Sequence, residues 1–356
     1  MSQSPVTRRT FLKSAALAGA GTVGIHSAAA QPANSSANSF KGDAMQQAPS
    51  YTVPRRPFGK TGLEVSILGV GGFHLGSVKD QQEANALVGR ALDCGVNFFD
   101  NAWEYHEGLS EERLGAALKG KRDQAIVMTK VCTHGRDKSV AMQQLEQSLR
   151  RLGTDHLDVW QIHEVVYYND PDLIFRPDGA IEALAAAKQQ GKVRFVGFTG
   201  HKDPAIHLKM LTHDFPFDTV QMPLNPLDAR FRSFQQCVLP EANRRGIAVL
   251  GMKSLGGSGE MVVHGVLTPE EGLRYAMSLP VATTISGMDS LEVLEQNLAI
   301  AASFRPMSEA ERKALEDRCT AWSADGRYEL FKTTVKYDGD VGREQHQFPT
   351  PEKLPA

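Results

Sequence analysis

The chain has 356 residues, 41% of them apolar and 22% charged, with a formal net charge of −2. That length suits one large domain or two ordinary ones, and that composition supports a sizeable core rather than bulk disorder. A near-neutral balance removes the electrostatic case for a nucleic-acid or anionic-membrane partner.

Residues 1–30 differ in kind from the rest. Thr7-Arg8-Arg9-Thr10-Phe11-Leu12-Lys13 precedes a mildly apolar run and then Ala28-Ala29-Ala30. The run is too short and too rich in Gly and Ala for stable membrane insertion. An Arg pair, a weak apolar region and small residues at a cleavage point read as a removable twin-arginine export signal, with a disordered basic terminus as the alternative. That reading implies the twin-arginine (Tat) translocation machinery as a transient partner and the periplasm as destination. Residues 31–50, rich in Ser, Asn, Ala and Gln, suit a flexible linker. The four cysteines, Cys94, Cys132, Cys237 and Cys319, are scattered with no C-x-x-C pair, so neither a metal nor an iron–sulfur cluster is expected.

The folded part is expected over residues 51–322. Residues 56–65 read as a hairpin with a Gly-containing turn. Strand-like runs follow at 67–71, 96–99, 125–130, 157–163, 193–199, 219–222, 247–252 and 283–286. Helical periodicity fills the intervals at 81–94, 110–118, 140–152, 180–190, 204–211, 234–245, 269–278 and 291–302. Near-continuous apolar strands joined by helical crossovers predict a parallel sheet buried on both faces. Eight such units in roughly 250 residues predict an α/β (β/α)8 TIM barrel, with the hairpin plugging one end. A doubly wound sheet is the runner-up, but Gly69-Val70-Gly71-Gly72 fails as a G-x-G-x-x-G phosphate loop. A helix with a Ser–Glu start is expected at 308–321, and residues 323–356 read as an irregular tail wrapping the surface.

In such a barrel, functional groups collect at the C-terminal ends of strands. Asp100 ends the second strand, Tyr105 lies in the loop after it, Lys130 ends the third and His163 the fourth. Each alone has an ordinary explanation as a cap or a rim residue; four at equivalent positions do not. Together they suit proton-coupled hydride transfer. A carboxylate holds the lysine, the ammonium lowers the phenol pKa, Tyr105 carries the proton and the histidine orients a carbonyl.

With these four residues, the stretches 95–100, 109–118, 148–155 and 191–194 make the chain resemble the aldo-keto reductases from about residue 55 to 304. The resemblance implies an NAD(P)H-dependent barrel oxidoreductase acting on an aldehyde, ketone or sugar-like alcohol. The alternative is a nucleotide-binding or redox-sensing barrel without turnover, which has no need of all four groups. The family's cofactor site carries over as follows. Gly72 is among the expected cofactor-binding residues, and Thr199 and Gln221 fall at the nicotinamide end, where Thr199-Gly200 replaces the usual Ser-Asn. Met252 is placed to pack on the nicotinamide ring. Lys253, Leu255, Gly256 and Gly257 form a turn for the pyrophosphate, or else an ordinary strand-to-helix turn with a surface lysine. Gly287, Gln296 and Asn297 fall at the adenosine end, where Asp289 and Val293 leave NAD versus NADP open. The Gly-Phe-Thr-Gly-His stretch resembles a branch in which a ferredoxin-like cluster is appended, for which this chain lacks cysteines. Phe73, Trp103, His134 and Tyr167, with His74 and His106, fall in loops that would line a pocket for a small-molecule substrate.

Overall fold

The computed structural model describes residues 50–132, 136–350 and 353. The expected export signal, the linker up to residue 49 and His134 lie outside the described residues. Strands β1 (Arg55–Pro57) and β2 (Glu64–Ser66) pair antiparallel, Arg55 opposite Ser66. Their turn passes through Gly59 and Gly62 at φ 56° and 79°, a left-handed backbone that favours a residue without Cβ. The turn drives Phe58, fully buried, against Phe98 at 5.6 Å between ring centroids, beside Met128, Val159 and Leu250. That apolar plug closes the end of the barrel where the strands begin.

The barrel strands are β3 (Leu68–Gly71), β4 (Phe98–Asp100), β5 (Ile126–Cys132), β6 (Leu157–His163), β7 (Val193–Thr199), β8 (Thr219–Pro223), β9 (Ala248–Met252) and β10 (Thr283–Gly287). They close as β10-β3-β4-β5-β6-β7-β8-β9. Every neighbour is parallel. β5, β6 and β8 are buried along their whole length, the signature of a sheet covered on both faces. Outside it, helix Lys138–Leu152 buries Ala141, Leu145, Leu149 and Leu152 at helical spacing and stops at Gly153, φ 61°. Register aligns the polar strand ends: Gly71 faces Asp100, Lys130 faces Gln161, Cys132 faces His163 and Thr199 faces Gln221.

Three expectations about elements change. The helix expected at 234–245 is two, Phe234–Cys237 and Leu239–Arg245, because Pro240 has no N–H for the bond that would join them. Helices Gly72–Ser77 and Asp170–Phe175 arise in loops after β3 and β6, too short to register as a period. The tail does not merely wrap the surface. After helix Glu309–Arg318, capped by Ser308 and Glu311 as the Ser–Glu start implies, it forms helices Leu330–Thr333 and Asp340–Gln345 and buries Glu329, Phe331, Lys332, Asp338 and Arg343. Its anchor is ionic. Lys332 Nζ donates to Asp228 at 2.6 Å, to the Phe231 carbonyl at 2.7 Å and to Glu329 at 3.1 Å, with all three side chains of the cluster fully buried.

Candidate functional site

Asp100, Lys130, Tyr105 and His163 meet at the rim where the barrel strands end. Lys130 Nζ donates to the Asp100 carboxylate and, at 2.7 Å, to the Asn101 carbonyl. Gln221 donates to the other Asp100 oxygen at 3.1 Å, so the carboxylate is fixed from two strands. The ammonium lies 5.1 Å from the Tyr105 ring centroid. Phe73 and His163 meet that ring edge-on at 5.5 and 5.6 Å.

The loop carrying Tyr105 is strained. His106, Glu107 and Gly108 have φ of 52°, 58° and 98° in succession, and the first two are not glycines. Surrounding bonds hold this shape: His106 Nε2 to the Phe73 carbonyl at 2.8 Å, and Arg151 to the Trp103 carbonyl at 2.8 Å and to buried Glu111 at 3.1 Å.

The electrostatics differ from the sequence expectation at one point. The Tyr105 phenol is pushed well above its ordinary pKa, first by burial and then by Asp100, Glu104 and Glu164. The Lys130 charge is matched by Asp100, so it does not offset those carboxylates, and the phenol stays protonated. Burial lowers the His163 pKa against an opposing pull from Glu104. Burial and the Glu104 charge push Glu164 well up.

Glu104, Glu164 and Cys132 are site neighbours that the sequence reading missed. Glu104 Oε1 stands 2.6 Å from His163 Nδ1, and the Cys132 thiol donates to Oε2 at 2.8 Å. Their one signal was adjacency: Glu104 precedes Tyr105 and Glu164 follows His163. The tail adds more. The Gly339 amide donates to Glu164 at 2.5 Å, and Asp338 accepts from Lys202 at 2.6 Å.

The residues expected at a nucleotide fall into two groups. Near the rim, Gln221 is buried and its Oε1 has no hydrogen-bond partner among the described residues. Thr199 is buried at the end of β7, and Met252 is half-buried at the end of β9. Gly72 is tight: a Cβ there would meet the Asp100 carbonyl at 2.4 Å. The turn after β9 holds Lys253 (φ 54°) and Gly256 (φ 90°), with Leu255 packed against Gly272. The Lys253 ammonium lies 5.2 and 5.1 Å from the rings of Phe331 and Tyr337, and burial lowers its pKa. Tyr337 also covers Gly257 and bonds Ser258 at 2.8 Å and Glu260 at 2.7 Å. The second group flanks β10: Gly287 lies under the His74 ring, Gln296 is exposed, and buried Asn297 donates to Ser286 at 3.0 Å. An orphaned buried acceptor and a lysine cation beside a glycine turn fit a nicotinamide nucleotide, and Tyr337 overlies the turn expected to hold its diphosphate.

Of the expected substrate residues, Phe73 is 52% exposed beside Tyr105. Trp103 is engaged by helix Lys138–Leu152, its indole N–H donating to Gln147 at 2.7 Å with Arg151 over the ring. Tyr167 packs on His346 and Phe348 of the tail at 4.4 and 5.1 Å. A cleft of about 900 Å³ lies at the opposite rim, lined by Arg55, Asn97, Arg122, Asp158 and Arg194, and holds none of these residues. Among the described residues no cluster of His, Cys, Asp or Glu is arranged for a metal ion, and no helix is long and apolar enough to cross a membrane.

A closed parallel (β/α)8 barrel with an Asp–Lys pair, a tyrosine and a histidine at its strand ends defines the class: a barrel oxidoreductase site. The sequence pattern of the Aldo/keto reductase family matches residues 67–260, and the chain belongs to that family. It is 25% identical over 304 residues to the oxidoreductase YqkF of Bacillus subtilis, covering 74% of this chain and 95% of that one. It is 37% identical over 155 residues to L-galactose dehydrogenase of Arabidopsis thaliana, covering 41% of this chain and 48% of the relative. Among solved structures, the holo form of aldo-keto reductase AKR11C1 from Bacillus halodurans superposes with a TM-score of 0.64 at 24% identity, covering 76% of this chain and 99% of that one.

Proposed function

We propose that the protein moves a hydride between a nicotinamide nucleotide and a carbonyl or sugar-like alcohol, with Tyr105 as the proton donor. The observation that carries this reading is the Asp100–Lys130 pair packed against the Tyr105 ring with His163 edge-on. Asp100 holds Lys130 in place against the Tyr105 ring, and His163 orients the substrate. A phenol held protonated is the right state for giving a proton to a carbonyl oxygen. Gln221, Thr199 and Met252 would hold the nicotinamide end, and Lys253 with Gly256 and Gly257 the diphosphate. When bound, the nucleotide supplies or accepts the hydride. Its relative named L-galactose dehydrogenase supports the sugar-like branch of the substrate class. The test is turnover of a carbonyl and sugar panel with NAD(H) and NADP(H). Failure with every pair would leave the nucleotide-binding barrel without turnover.

Export by the twin-arginine route is part of the proposal, supported by the Arg8-Arg9 stretch and its apolar run. That route carries folded proteins, so a nucleotide needed in the periplasm has to travel bound, which requires slow dissociation. Mass spectrometry of periplasmic protein purified without added nucleotide should find near-stoichiometric NAD or NADP. An empty site of micromolar or weaker affinity would refute carriage.

A further inference from the structure

β6 ends at His163, and the turn after it is held by a pair of charges from outside the strand. Arg136, fully buried just ahead of helix Lys138–Leu152, donates from Nη1 to the His163 carbonyl at 3.0 Å. Its Nη2 reaches the Glu164 carbonyl at 3.5 Å. The same guanidinium holds Asp170 Oδ1, at 3.2 Å from Nε and 2.8 Å from Nη2. Asp170, also fully buried, accepts the Val166 and Tyr167 amides on Oδ2 at 2.8 and 2.9 Å. The Val165 amide donates to the Thr199 carbonyl at 2.7 Å. One ion pair and one strand-to-strand bond thus engage a backbone group of every residue from 163 to 167.

A buried ion pair adds little stability over well-packed apolar side chains, so stability is a weak reason for this one. Its geometry gives a better reason. A carbonyl pinned at His163 fixes the peptide plane leaving that residue, and with it the direction of the Cα–Cβ bond. A planar guanidinium fork can serve a carboxylate and two carbonyls at once, which an ammonium does not reproduce. The Arg136 backbone sits at φ 57°, a conformation that a non-glycine residue keeps only where its surroundings impose it. The tail meets the same pair, His346 Nε2 lying 3.1 Å from Asp170 Oδ1. We propose that Arg136 and Asp170 are positioning residues that set the His163 ring against the reacting group of the substrate. Both act through the turn 163–167, and the inference rests on the oxidoreductase reading above.

Arg136→Lys keeps a cation beside Asp170 and loses the fork. With the best-turned-over substrate of the panel above, kcat should fall by about 10–100-fold while the nucleotide Kd stays within about threefold. In a His163→Asn background the same change should cost less than about threefold, because the group it positions is gone. Equal losses in the two backgrounds overturn the inference and leave the pair a structural one. Nitrogen-15 NMR of histidine-labelled, nucleotide-free protein gives a readout that needs no turnover. The His163 ring signals, assigned by their loss in His163→Asn, should move in Arg136→Lys; unmoved signals overturn the inference as well. Should the lysine variant not fold, Asp170→Asn takes its place in both measurements. A parent that turns over no substrate overturns the oxidoreductase reading and the positioning role with it, whereas an active parent with equal losses overturns the positioning role alone.

Discussion

Lys130 and Lys332 are both buried ammonium groups held by carboxylates, and only one stands where chemistry is expected. Lys332 has an acceptor for each of its three protons, in Asp228, the Phe231 carbonyl and Glu329. Among the described residues Lys130 has two, Asp100 and the Asn101 carbonyl, and its remaining side is toward the Tyr105 ring. A saturated ammonium in a closed cluster is a fastener, here for the tail. One with a proton in reserve beside a phenol still has a hydrogen bond to offer at the rim. The lesson is that burial and pairing do not separate structural from functional charge; the count of satisfied protons does.

The sharpest test removes what Lys130 faces. Tyr105→Phe should lower kcat by about 10²–10⁴-fold while the nucleotide dissociation constant stays nearly unchanged. Activity within a few-fold of the parent would place Lys130 in the same structural category as Lys332.

Next come the lysines themselves. Lys332→Met leaves two carboxylates buried without their cation, and should cost about 3–5 kcal/mol in denaturant unfolding. Turnover per folded molecule should stay within a few-fold. Lys130→Met should cost a similar amount, and adding Asp100→Asn should recover stability without recovering activity. Recovery of both by the double variant would show that the Asp100–Lys130 pair is only structural.

A smaller effect concerns the nucleotide. Asp289 and Val293 offer no cation to a 2′-phosphate, so NADP should gain less than about tenfold over NAD, or about 1.4 kcal/mol. Comparative dissociation constants decide this.

The smallest effect is a pH dependence of the tail anchor. Glu329 is pushed up to about 7, mainly by burial and by Asp228 against the pull of Lys332. A carboxyl whose folded pKa exceeds its unfolded value weighs against folding as pH rises. The effect is absent below the unfolded value of 4.5 and complete above about 7. Hydrogen exchange across Leu330–Thr333, corrected for intrinsic rates, should be slower at pH 5 than at pH 8. The reverse order would show that Lys332 dominates the cluster.

The barrel was legible because each strand and helix carries its own period, and the four rim residues because they end consecutive strands. The β6 and β7 boundaries match those read from the chain, and each run ends at the rim in a polar residue, His163 or Thr199. The tail was not legible for the same physical reason. Its short helices bury through an ionic contact between Lys332 and Asp228, 104 positions apart, which leaves no local pattern. Glu104 was hidden in a row of polar residues, and only the strained turn through His106 and Glu107 accompanies its arrival at His163. Pro240 could have been read as a helix break, since the missing N–H is visible in the letter itself.

Tyr337 lies on Gly257 and against Lys253, on the turn assigned to the diphosphate. Under the proposed cofactor placement, a nucleotide using that turn would enter only when this ring lifts, and leave only when it lifts again. Escape would then be timed by the opening of a segment pinned through Lys332, not by the strength of the nucleotide's own contacts. Residence time and equilibrium affinity would be separately adjustable: loosening the pin would shorten the first while leaving the contacts that set the second in place.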